Sequence, residues 1–203
     1  LKLFSIYSVF IPLFVGFINF KYLESNARIV LLIVAFASVP HVATIIDHKD
    51  SLPTLYYNGY IIVDSILWPV VYLLSSKIQK IRVILLGLLL ANVILVVSYI
   101  TFEGFNKRFY YEMVCVNSIF QITLVSIFFH ELNNRNELII LKKESVFWVS
   151  IGLLFYTVCT FFFFFFYFRI NKYFSQSQLN NLWIIHHLFI ELMYFFFVFF
   201  LSI

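Results

Sequence analysis

The sequence predicts an all-α, polytopic membrane protein: one transmembrane domain over residues 1–203, built as a seven-helix bundle with short loops. Three observations carry this reading. Of the 203 residues, 63% are hydrophobic and only 12% charged, which is more apolar side chain than one soluble core of that length hides. The apolar residues form continuous runs, whereas an outer-membrane barrel needs alternation. A spanning helix uses roughly 20 residues to cross about 30 Å of hydrocarbon, so seven spans use roughly 150 and leave only short connections. That arithmetic disfavours a soluble kinase, nuclease, Rossmann-type enzyme or DNA-binding module.

The runs lie near 3–20, 28–47, 57–76, 81–101, 109–130, 145–168 and 182–203. The first follows Lys2 and imitates a signal peptide. No small-x-small cleavage site comes after it, so it is read as a span, and because the chain begins with Leu1, further residues are expected upstream. The second contains Pro40 beside His41, and the third contains Trp68-Pro69 one turn after Asp64, so both are expected to kink. The third and fourth runs are separated by few residues and predict a tight antiparallel hairpin. The fifth carries Asn117 and Gln121 at i,i+4, which places them on one face. Between the fifth and sixth runs lies a longer polar connection over 133–144. Its short apolar piece Leu138-Ile139-Ile140-Leu141 extends a neighbouring helix or lies at the interface. The sixth run includes six consecutive phenylalanines, Phe161 to Phe166, read as lipid-facing. Tyr56, Tyr57, Tyr60, Tyr110, Tyr111, Trp148, Tyr173 and Trp183 fall near run ends and read as an aromatic belt.

Positive charge orients such a bundle. Lys21, Arg28, Lys77, Lys80, Arg82, Arg135, Lys142 and Lys143 fall on one side; Lys2, Lys49, Lys107, Arg108, Arg169 and Lys172 fall on the other. Eight against six favours an outside N-terminus and an inside C-terminus in a bacterial inner membrane. The net charge of +4 is spread over loops, which suits anionic lipid and not a nucleic-acid partner. Cys115 and Cys159 sit inside spans without CxxC spacing and read as free thiols.

Polar side chains inside the spans are costly and therefore informative. Asp64 lies mid-helix three, Glu191 mid-helix seven, His187 one turn earlier on the face of Glu191, and His41 late in helix two. With the C-terminus inside, His41 and His187 lie in the outer half, with Asp64 and Glu191 beneath them. The candidate site is a ligand pocket or polar cluster of His41, Asp64, Asn117, Gln121, His187 and Glu191. The competing reading is interhelical glue worth about 0.6–2 kcal/mol per hydrogen bond. No metal or cofactor is assigned, since His186 and His187 point about 100° apart on a helix. No catalytic residue is assigned either: GxSxG, HExxH and Walker-type loops are absent, as is a helix-seven lysine for a retinal Schiff base.

Phe147-Trp148-Val149-Ser150-Ile151-Gly152-Leu153-Leu154-Phe155-Tyr156 and Leu182-Trp183-Ile184-Ile185-His186-His187 carry a pattern over about 145–203. It resembles uncharacterised seven-helix integral membrane proteins of Bacteroidota, often encoded beside sensor histidine kinases. The resemblance implies an acidic residue in mid-helix three, the place Asp64 takes, and no catalytic residues. It also implies a non-enzymatic sensory or scaffolding component acting with a sensor histidine kinase or another membrane protein in trans. The alternatives are a small transporter or proton-coupled carrier using Asp64, His187 and Glu191, and, less favoured, an intramembrane metal-dependent hydrolase.

Overall fold

The computed structural model describes residues 7–47, 54–104, 111–135, 144–170, 173 and 175–202. Among them are seven helices and no strand: α1 (Phe10–Ile18), α2 (Ser25–Asp47), α3 (Thr54–Ser75), α4 (Gln79–Glu103), α5 (Tyr111–Asn133), α6 (Ser145–Ile170) and α7 (Gln176–Ser202). Six of them, α2 to α7, are long and apolar enough to cross a bilayer. The first is nine residues long, about 14 Å at 1.5 Å per residue, and does not span by itself. The chain is thus an all-helical, multi-pass membrane protein.

Helices adjacent in sequence pack side by side, and α7 returns to α1, so the ring closes. Inside it, α3 also touches α5. The core packs Trp68 and Tyr72 of α3 against Phe128 of α5, Leu153 of α6 and Phe197 of α7. Close approach requires small residues. A Cβ on Gly152 of α6 would lie 2.8 Å from Phe196 Cβ and 3.3 Å from the Met193 carbonyl, so α6 and α7 meet nearly backbone to backbone there. Gly16 similarly lets Leu31 of α2 and Leu201 of α7 close over α1.

Most boundaries fall within a few residues of the apolar runs. The largest difference on α2 to α7 is the start of α7, six residues before the predicted 182. There Ser175 and Gln178 form a reciprocal cap: the Ser175 amide donates to Gln178 Oε1 at 2.9 Å, and the Gln178 amide to Ser175 Oγ at 3.5 Å. This S-x-x-Q capping box starts a helix inside polar sequence, where hydropathy alone sees only a loop. The segment 138–141 lies outside the described residues.

One end of the bundle gathers the start of α2, the turn from α3 to α4, the end of α5 and the start of α6. Asn26 donates to Ser75 Oγ at 3.3 Å, and the Lys77 amide to Glu131 at 2.7 Å. Lys21, Arg28, Lys77, Lys80 and Arg82 are exposed there. The ends of α1 and α7 also meet, Asn19 donating to the Leu201 carbonyl at 2.9 Å.

Candidate functional site

Asp64 lies midway along α3 and is only 6% exposed, so its carboxylate is largely withdrawn from bulk solvent and needs partners from the protein. Its own helix supplies two donors one turn away on either side: Trp68 Nε1 reaches Oδ1 at 2.7 Å, and Tyr60 reaches the same oxygen at 3.4 Å. The other two come from α5, where Asn117 Nδ2 meets Oδ2 at 2.8 Å and Gln121 Nε2 at 2.6 Å. The i,i+4 spacing that puts Asn117 and Gln121 on one face thus produces a two-pronged amide fork aimed at one oxygen. An ionised carboxylate only accepts, and here it is met by four donors. The shell is strong on three sides and weak at Tyr60.

On the other side of Asp64 is a cavity with about 10 Å³ of space for the centre of a water-sized sphere, room for about one water molecule. Ala37 of α2, Tyr60 and Asp64 of α3, Tyr156 of α6, and Tyr194 and Phe197 of α7 wall it. Tyr60 therefore points inward and is not part of an interfacial belt. Trp148 and Trp183, both partly exposed, also make ring contacts. Trp148 stacks on Phe196 and Phe199 at 6.3 and 6.1 Å, and Trp183 sits edge-on to Phe163 at 4.8 Å.

Of the six residues proposed from sequence, the structure joins Asp64, Asn117 and Gln121 directly. His41, His187 and Glu191 are not among the cavity walls. His41 of α2 and His187 of α7 are near enough to interact electrostatically. Glu191, half-buried, has its Oε1 buried without a hydrogen-bond partner. Among the described residues, no three of His, Cys, Asp and Glu converge as metal ligands. The neighbouring His186 is more deeply placed than His187. It stacks on Phe163 at 4.8 Å with 15° between the planes, and Trp183 and Phe164 stand edge-on to it.

Two polar arrangements escaped sequence reading. Pro69 has no amide hydrogen, so the Ser65 carbonyl one turn earlier loses its helical donor. Asn92 of α4, 1% exposed, replaces it: its Nδ2 donates to Ser65 O at 2.7 Å. The signal was present, since Asn92 interrupts an apolar run and Pro69 implies a free carbonyl four residues back. Pairing them required the register of α3 against α4. The second arrangement lies at the basic end. Glu131, 1% exposed, is held by Arg135 Nη2 at 3.2 Å and by the Lys77 amide, and Arg135 Nη1 pairs with Glu144. Hydropathy ended the fifth run at 130, just before Glu131, and so hid its burial.

No family model, curated protein or solved structure matches the chain.

Proposed function

We propose that this chain is a non-enzymatic seven-span protein of a bacterial inner membrane, a sensory or scaffolding component that acts with a signalling partner in trans, a sensor histidine kinase or another membrane protein. The observation that carries the reading is the small space around Asp64. The carboxylate in its middle is spent on four donors from two helices, and the space beside it takes about one water. A carrier site must hold and release a solute near the midplane. Asp64 instead staples α3 to α5, which suits a bundle that transmits helix movement to its ends.

The seventh span is assigned to the first apolar run, to which α1 belongs. Its place in the ring, with Val9 and Leu13 in the core, supports that assignment. The exposed cations of the basic end, Lys21, Arg28, Lys77, Lys80 and Arg82, favour an inside C-terminus and an outside N-terminus. One observation favours the second reading, a proton-coupled carrier: Glu191 keeps an unpartnered oxygen on the helix that also carries His187.

Co-reconstitution tests the proposal. The bundle and a sensor histidine kinase chosen as the candidate partner are placed in one proteoliposome, and kinase autophosphorylation is followed. The expected result is a rate that differs at least severalfold from kinase alone. An identical rate, with the two proteins separating freely in mild detergent, would overturn it.

A further inference from the structure

At the basic end, far in sequence from Asp64, one guanidinium ties three helices together. Arg135 follows the end of α5, and its side chain is 5% exposed. Nη2 reaches Glu131 on its own helix at 3.2 Å and the last carbonyl of α3, Ser75, at 3.4 Å. Nη1 pairs with Glu144, the residue that leads the chain into α6. The first turn of α6 continues from there, the Phe147 amide donating to the Glu144 carbonyl at 3.0 Å.

The two acidic partners are not equivalent. Glu131 is sealed at 1% exposure and is fixed a second time by the Lys77 amide, whereas the Glu144 side chain is 30% exposed. Removing a buried pair member strands a charge, but a partly exposed carboxylate can be taken over by water at small cost. The closed arrangement is also incomplete, because Arg135 Nε is buried without a partner. Opening toward water would satisfy that donor and so lowers the cost of release.

From this asymmetry we propose that Arg135 and Glu144 form a releasable latch: the Glu131 side is permanent, the Glu144 side opens, and opening frees the first turn of α6 from α3 and α5. Val146, 4% exposed, and Phe147, edge-on to Phe129 of α5 at 6.0 Å, are the apolar contacts that opening uncovers. The latch rests on the sensory reading for its purpose, since it gives the bundle a moving part at the end where a partner would read it. Its existence can be tested without any partner, so failure of the latch and failure of the kinase assay are separate results.

The test uses a Cys115→Ser, Cys159→Ser background carrying Val146→Cys, with maleimide alkylation timed in membranes. A second reporter, Leu153→Cys, sits two turns deeper in α6. Glu144→Gln should raise the alkylation rate at position 146 roughly tenfold and leave position 153 unchanged. An unchanged rate at 146, or an equal rise at 153 reporting general loosening, would overturn the proposal. Should Glu144→Gln fail to fold, salt is the second lever on native Glu144. Shortening the Debye length from about 30 Å to about 3 Å should speed alkylation at 146 alone, because the exposed half of the pair is screened. A salt-independent rate there would overturn the latch.

Discussion

A single missing hydrogen decides the chemistry around Pro69. Without a proline amide the Ser65 carbonyl is orphaned in a place closed to water, and Asn92 crosses from α4 to fill the vacancy at 2.7 Å. The two residues are therefore coupled through the Ser65 carbonyl. Asn92→Leu should destabilise the bundle by about 1–2 kcal/mol, in the range measured for interhelical hydrogen bonds in membranes. In a Pro69→Ala background, where the helix supplies its own donor, the same substitution should cost much less. Thermal unfolding of the four proteins in mild detergent gives the coupling energy, and additive effects would refute the assignment. Asp64, Asn117 and Gln121 were legible as individuals because each is polar inside an apolar run, and the i,i+4 pair on α5 was legible as a face. That this face meets Asp64 depends on the packing of α3 against α5. Likewise, the i,i+4 face shared by His187 and Glu191 was readable, whereas the unpartnered state of Glu191 Oε1 was not, because it depends on what the neighbouring helices present to that face.

At the scale of elements, the six long helices divide by exposure. In α4, 17% of the apolar window is buried, against 33% to 44% in the other five, and Val83, Ile94 and Val97 are more than half exposed. It is the most exposed helix of the six, and it contributes Asn92 inward. At its other end Gly104, at φ 74°, closes the helix in a backbone conformation that side chains with a Cβ disfavour. The opposite extreme is the contact between α6 and α7, where Gly152 allows near-backbone approach. Gly152→Ala puts its methyl 2.8 Å from Phe196 Cβ, and neither that atom nor the Met193 carbonyl can swing aside as a flexible side-chain end would. We expect a loss of about 1–3 kcal/mol, seen as a lowered melting temperature. A neutral outcome would mean that the helices separate at little cost. The six long helices were readable from hydropathy because a bilayer demands long apolar segments. The early start of α7 was missed because its capping box is a local hydrogen-bond signal embedded in polar residues.

On the scale of the whole molecule, the ring of helices surrounds a core that is sealed by large side chains and stapled by polar ones. Two of its polar systems have different characters. The Asp64 shell is buried and made of donors from α3 and α5. The Arg135 network stands at the basic end and is open on the Glu144 side. The proposed signalling role would use this division, with the Asp64 shell held fixed and the Glu144 side able to open. The class of protein was legible from composition alone. Its interior volume was not, because the volume depends on how Tyr60, Tyr156 and Tyr194 fill the space between four helices.

The most direct test of this account is proton flux in proteoliposomes, read with a trapped pH dye under an imposed gradient, for the unaltered protein and for Asp64→Asn. The expected result is flux no greater than in protein-free vesicles for both. Protein-dependent flux that Asp64→Asn abolishes would show that the buried carboxylate carries protons, and would contradict the assignment of Asp64 as a fixed staple in a closed bundle.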